Sequence, residues 1–287
     1  MPDDMQREFT DRDQLADYLK EQFPDAAAVD SHVSPIVGGR AAAQARLSKL
    51  PWGRDYEASR DYLDGPVSHL GPYIRHGAVT LAEVRDYSLE KERLLEDAEK
   101  FVTQLAWRDY WLRLHDELGD DVWVDREPYK TGKIPEEYAD KLPLDIQDAD
   151  TGLPCMDALI KRLYTTGYIH HHARMWLAAY IVHWRRVKWQ VGARWFLSHL
   201  LDGDEASNAL SWQWVASTYS AKPYIFNREN VEKYSEGEWC KTCPWYGRCD
   251  FEGGYQRLER KLFPDVEPTR EARGPRRDFR RGKGGRR

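Results

Sequence analysis

Nowhere in this chain of 287 residues does an uninterrupted apolar stretch outrun Met175 to Val182, far short of the ~18 residues that mark a membrane-crossing helix. The opening segment, MPDDMQREFTDR, is acidic and has no apolar block, so no secretory signal is read and a cytoplasmic setting is expected. GxGxxG and the P-loop are both missing, which removes the familiar phosphate-cradling signatures of Rossmann and P-loop nucleotide sites. No alternation of strand and helix patterns argues for a parallel sheet. Phenylalanine is scarce, at 8 residues against 12 Trp and 16 Tyr. That is an unusual way to fill a core, because a buried indole needs a partner for its N–H. Dense tryptophan suggests stacking surfaces for bases or a flavin, or a hopping route for electrons, although most of the twelve serve as bulky packing groups.

Hydrophobic residues make up 41% of the chain, yet the mean hydropathy is -0.77. Apolar positions are therefore spread among charges, and the core has to be assembled from amphipathic elements. Helical spacing dominates. Leu81 to Leu118 reads as helix through most of its length, with apolar residues three and four apart and Gly119 as a stop. Val122 to Ala149 reads as a polar loop broken by Pro128, Pro135 and Pro143. Three further helices are expected over Met156–Tyr164, His170–Trp189 and Val191–Leu201. The expected fold class is all-α.

Charge is unevenly distributed. Residues 270 to 287 carry nine Lys and Arg against two acids, which under a total of -5 leaves about -12 on the rest. A Gly- and Arg-rich end of this kind is expected to be disordered, either as a solvated tail or as an electrostatic capture device for nucleic-acid phosphates.

Several segments place polar groups where a helical core would prefer none. Ser68 stands where a helix could start, with a hydroxyl and free N–H groups suited to phosphate. Arg174 sits on an otherwise apolar helix and, if buried, needs a carboxylate, which Asp202 or Asp204 would supply. Cys240, Cys243 and Cys249 form C-x2-C-x5-C, with Cys155 well upstream. Thiols so grouped point to metal ligation rather than disulfides, and spacing alone leaves zinc, an iron–sulfur cluster and free thiols open. The run His170, His171, His172 cannot converge on one metal from a helix, whose neighbours point about 100° apart. His171 is left as a proton donor or a packing histidine.

Taken in order, Tyr56 with Arg60, Ser68-His69-Leu70, Pro72-Tyr73, QLAWRDYW (104–111), TGLP (151–154), TGYIHHHARM (166–175), DGDEASN (202–208) and WQW (212–214) resemble the FAD-binding helical domain of the DNA photolyase and cryptochrome family. The resemblance runs from about Gly38 to Tyr224. It implies a bent FAD in the helical domain, with Ser68 at the pyrophosphate and Tyr56 nearby. Arg174 and Asp202 match an ion pair against the flavin ring, Asp204 an acid near the ribityl chain, and Asn208 the side chain facing flavin N5. Trp212 and Trp189 match the first two members of an electron-hopping chain. The usual third tryptophan is not evident in residues 130 to 150, and Tyr164, Trp184 or Trp195 are candidates to replace it.

Trp107 matches an aromatic that stacks on a flipped pyrimidine dimer, whereas Gln104 stands where many repair enzymes have Glu. His171 resembles the (6-4) photolyases and Met175 the cyclobutane-dimer enzymes, so the lesion is left open. LPCMDALI, YIHH and AKPY (221–224) resemble a bacterial branch whose four cysteines hold a [4Fe-4S] cluster, which would make Cys155, Cys240, Cys243 and Cys249 its ligands, with zinc as the alternative. Fewer than forty residues precede Gly38, so an antenna-free flavin domain is expected. The organisation implied is a helical lead-in over 1–37, a flavin domain over 38–268 stapled by the cysteines, and a disordered basic tail over 269–287. Two functions follow from the resemblance. One is light-driven repair of pyrimidine photoproducts in DNA, single-stranded or lesion-containing, with Trp111 and Trp214 helping Trp107 to bound the pocket. The other is a cryptochrome-like photoreceptor or redox sensor.

Overall fold

The computed structural model describes residues 5–50, 54–92 and 95–266; the basic segment 270–287, and with it the expected tail, lies outside them. The chain is helical: α1 (Arg12–Gln22), α2 (Pro24–Val29), α3 (Arg40–Leu47), α4 (Arg54–Ser59), α5 (Gly71–Arg75), α6 (Leu81–Lys91), α7 (Leu95–Leu118), α8 (Leu144–Gln147), α9 (Pro154–Thr166), α10 (His171–Ala179), α11 (Trp189–His199), α12 (Glu205–Ala216), α13 (Arg228–Tyr234) and α14 (Tyr255–Leu262). No strand occurs among the described residues, where Ala139 and Val187 form an isolated β-bridge.

Local chemistry sets the ends of the helices that matter most. Thr80 and Glu83 form a capping box at the start of α6, satisfying two otherwise orphaned N–H groups. The region 81–118 is two helices, because Glu92 leaves helical geometry at the end of α6. Pro154 opens α9, at a position where a missing N–H costs nothing. Asp204 caps α12, accepting the Ser207 N–H at 2.8 Å.

The expected helix His170–Trp189 is not continuous. After Ala179 the chain widens into a π turn over Tyr180–Trp184, with Arg185 N–H reaching back to Tyr180 O at 3.0 Å. Arg186 then takes a left-handed φ of 54°, and Trp189 begins the next helix. Periodicity did not reveal this break because the π turn begins inside the buried apolar run Trp176 to Val182.

Beside a small cluster of Ile225, Leu258, Leu262 and Phe263, two main apolar cores form among the described residues. The larger gathers Ile160, Leu163, Trp176, Leu177, Ile181, Trp189, Phe196, Trp212 and Phe226, and the smaller Leu47, Tyr56, Leu70, Tyr73, Val84 and Phe101. Helices α1 and α2 bury no residue. The α11–α12 contact depends on Gly192, where an added Cβ would lie 2.3 Å from the Trp212 ring. Gly192→Ala is therefore expected to destabilise the fold by about 1–3 kcal/mol through overpacking, read as a lowered urea midpoint with an unchanged slope.

Candidate functional site

A cavity of about 770 Å³ opens between the two cores, within the ~300–1,000 Å³ typical of ligand sites. From α4 comes Tyr56; from the turn after it, Arg60, Ser68 and His69; and from the segments around α10, Tyr168, His171, Arg174 and Met175. Helix α7 contributes Gln104, Trp107, Arg108 and Trp111, spaced i, i+3, i+4 and i+7 and so on one helix face. Asp202, Asp204, Asn208, Trp212 and Trp214 close the far wall.

Charge at this wall is paired. Arg174 binds the Asp202 carboxylate at 2.8 Å and donates its Nε–H to Ile169 O at 2.9 Å. Arg108 pairs with Asp204, also at 2.8 Å. Of the two partners open to Arg174 from sequence, Asp202 is the one it takes, and Asp204 is committed to α7. Asn208 is held by an Nδ2–H···O bond to Ala193 at 2.8 Å. Asp202 Oδ1, Ser207 Oγ and Arg108 Nε are buried without a protein partner. Buried polar atoms of this kind ask for a polar ligand.

Around His171 a second polar group forms: its Nε2 lies 3.2 Å from Asp61 Oδ1 and 3.3 Å from Arg60 Nη2. The His171 hydrogen bond holds the Asp61 carboxyl down at about 2. Burial lowers His171 itself despite the neighbouring carboxylate, which leaves the ring neutral at pH 7.

Ser68 does not cap a helix. Helix α5 starts at Gly71, after Leu70 and with Pro72 in its first turn, and the Ser68 hydroxyl sits 3.3 Å from the Leu70 N–H two residues on. At the rim, Trp107 (50% exposed) stacks on Trp111 with centroids 5.4 Å apart, and Trp214 is 41% exposed. Trp189 does not reach the cavity: it is wholly buried, gives its N–H to Asp125 Oδ1 at 2.6 Å and lies parallel to Trp123.

A separate small pocket brings Cys155, Cys240, Cys243 and Cys249 together with Trp239 and Phe251. Burial pushes Cys155 up to about 12 and Cys240 to about 11, so as free thiols they stay protonated at neutral pH. Among the described residues no group of three or more His, Cys, Asp or Glu has the arrangement of a metal-ion site. No described helix is long and apolar enough to cross a membrane.

The FAD binding domain of DNA photolyase matches residues 101–240. The chain is 39% identical over 206 residues to a deoxyribodipyrimidine photo-lyase of Streptomyces griseus, covering 69% of this chain and 43% of that protein. It is 33% identical over 222 residues to one of Halobacterium salinarum, covering 71% and 44%. The chain belongs to the DNA photolyase family, through its FAD-binding domain. An archaeal photolyase structure from Sulfolobus tokodaii, described with two FAD molecules, superposes with a TM-score of 0.59 at 27% identity, covering 73% of this chain and 47% of that one. This photolyase-family chain thus spans less than half the length of the curated relatives it matches.

Of the positions singled out from the photolyase resemblance, Tyr56, Ser68, Trp107, His171, Arg174, Asp202, Asp204, Asn208 and Trp212 share the one cavity; Trp189 stands behind it. Sequence reading missed Arg108 as a partner of Asp204, although its i+4 spacing from Gln104 was a usable signal. It also missed Asp61 and Trp123, for which no local pattern exists.

Burial lowers three histidines furthest: His69 to about 4, His170 to about 3 and His183 to about 4. Unfolding exposes them to an ordinary value near ~6.5, so below that pH the unfolded chain binds more protons and stability falls with pH. The urea midpoint is expected to drop steadily from about pH 6.5 towards 4, and His183→Gln, if it folds, to show a shallower drop. A midpoint flat across that window would contradict the assignment.

Proposed function

We propose that the chain binds FAD in this cavity and uses it for light-driven electron transfer to pyrimidine photoproducts in DNA. The observation that carries the reading is the convergence, in a photolyase FAD-binding domain, of nine positions from distant segments on one cavity of suitable size. Three buried polar atoms without protein partners there, Asp202 Oδ1, Ser207 Oγ and Arg108 Nε, fit a polar dinucleotide.

When bound, the flavin supplies a photo-excitable one-electron donor. The residues do the rest. Ser68, Arg60 and Arg108 offer donors and positive charge to phosphates, while Tyr56 packs beside them. The Arg174–Asp202 pair presents a fixed dipole to the ring system, and Asp204 fixes Arg108 by pairing with it. Asn208, anchored on Ala193, orients its amide for the ring edge, where the identity of the partner selects which protonation states are stabilised. Trp107, stacked on Trp111 at the rim, offers an aromatic wall for an extruded base, with His171 and Met175 beside it. Trp212 and Trp189 serve as electron donors to the flavin.

In this reading residues 38–268 are the flavin domain, 1–37 a helical lead-in, and 269–287 a basic arm that engages phosphates. Cys155, Cys240, Cys243 and Cys249 hold a [4Fe-4S] cluster that staples the C-terminal part. Support comes from the shared pocket, which all four cysteines line, and from the ligand chemistry, since four cysteine thiolates are the usual donor set of a cubane cluster.

Reduced and illuminated, the flavin-loaded protein is expected to restore a dimer-containing oligonucleotide. Loading without restoration of either cyclobutane or (6-4) lesions would instead favour the photoreceptor or redox-sensor reading. Deleting Arg270 to Arg287 should weaken binding to undamaged duplex and flatten its salt slope, by about 0.9 for each phosphate that the arm had neutralised, while sparing lesion discrimination.

Anaerobically purified protein should contain iron and sulfide in equal amounts, about four of each for a cubane, and Cys243→Ser should lose both. Zinc in place of iron overturns the cluster and leaves the flavin reading intact.

A further inference from the structure

Beside the cavity, the rings of Trp123 and Trp189 lie parallel, tilted by 4° with centroids 5.9 Å apart. Trp189 is wholly buried, whereas Trp123, at the end of the 3-10 turn Gly119–Trp123, is half-buried. Helix α11 connects this stack to the cavity. It begins at Trp189, and one turn on, Gly192 lies against the Trp212 ring, which itself lines the cavity. Trp212 at the cavity wall and the Trp189–Trp123 stack are thus joined by the first turn of α11.

Both stacked indoles donate their N–H to a carboxylate, Trp189 to Asp125 at 2.6 Å and Trp123 to Glu205. Over the Trp123 ring lies the Arg194 guanidinium, 4.3 Å from its centroid. Such a cation is attracted to a neutral ring and repels a positive charge developed on it. Glu205 also faces His115, with 3.5 Å between His115 Nε2 and the other carboxylate oxygen. The candidates from sequence are engaged elsewhere: Trp195 donates to Tyr164 Oη at 3.1 Å, and Trp184 packs on Phe226 and Phe251.

We propose that Trp123 is the surface end of the electron relay and that Glu205 receives its indole proton on oxidation. The inference rests on the reading of Trp212 and Trp189 as donors to the flavin. One electron leaves Trp212 for the photo-excited flavin, Trp189 refills Trp212, and Trp123 refills Trp189. Oxidised Trp123 gives its Nε1 proton to the Glu205 carboxylate, becoming a neutral radical beside a carboxylic acid. Arg194 favours that outcome over a ring that keeps its positive charge. A soluble thiolate then returns one electron, the proton moves back from Glu205, and a thiyl radical departs.

The test uses the full flavin-loaded chain without oxygen, with a thiol as donor. FAD content, photoreduction rate and the transient absorption of the indole radical are measured together, since neutral and cationic indole radicals have different spectra. Trp123→Phe is expected to slow photoreduction by about tenfold or more, equivalent to about 1.4 kcal/mol in barrier, with FAD content unchanged and the neutral-radical signal abolished. Trp123→Tyr, still oxidisable with loss of a proton, should recover part of the rate. Glu205→Gln should leave a cationic, shorter-lived radical. If Trp123→Phe reduces at the parent rate while Trp189→Phe is slow, the exit lies elsewhere and the proposal fails with the relay intact. Should Trp212→Phe and Trp189→Phe both match the parent, the relay reading fails and takes the proposal with it. Were Trp123→Phe to lose FAD, Glu205→Gln decides: a radical spectrum identical to the parent's overturns the proposal.

Discussion

Two carboxylates separated by a single glycine, Asp202 and Asp204, are nearly removed from water at the turn before α12. A buried carboxylate left unpaired costs several kcal/mol, so the chain has to deliver a cation to each. Arg174 comes from α10 and Arg108 from α7, and the two pairings fix where those helices stand relative to the turn. Asp204 also caps α12, which ties the start of that helix to the same point. Close packing extends the constraint to α5: an added Cβ at Gly71 would stand 2.6 Å from Asp202 Oδ2, so a side chain at residue 71 would force the walls apart. The cavity is the space these requirements leave between two cores.

That space combines hard and wet sides. Its inner wall is built from paired charge, an anchored amide and Trp212 packed on α11, all positions where rotamers are locked by neighbours. The rim is Trp107, Trp111 and Trp214, with Trp107 and Trp214 partly open to solvent. Fixed dipoles in a poorly hydrated interior act on a ligand far more strongly than the same groups in water. In the proposed reading, the exposed aromatic rim is where a second, larger partner would dock without disturbing that interior. The same arrangement places the Trp123–Trp189 stack behind the wall, where Glu205 and Asp204, adjacent at the start of α12, face a surface indole and a cavity arginine respectively.

Much of the architecture was legible from residue order. Helical periodicity, stop signals and the absence of strand patterns led to an all-α chain, and the motifs from Tyr56 to Trp214 led to the photolyase FAD-binding family. Periodicity failed over 170–189, because it reports which positions are apolar and says nothing of an i to i+5 widening inside an apolar run. Capping chemistry made Ser68 a place where a helix could start, whereas the helix begins at Gly71 with Pro72 in its first turn.

What the sequence determined by itself was the set of residue types and the segments that carry them: indoles, carboxylates, arginines and thiols at recognisable spacings. Only tertiary structure decided how they pair. Arg174 had two carboxylates within reach by number, and packing assigned it Asp202 while α7 brought Arg108 to Asp204. Cys155 lies far from the other three cysteines along the chain, and the folding of α9 beside the 240–249 segment sets them around one pocket. Trp123 lies in a stretch that read as polar loop, yet it meets Trp189 across 66 positions because the chain after α7 turns back onto α11. The physical reason is the same in each case: local patterns record short-range backbone preference and burial, while contacts between distant segments follow from the shapes that fill the core and from the need to neutralise every charge it encloses.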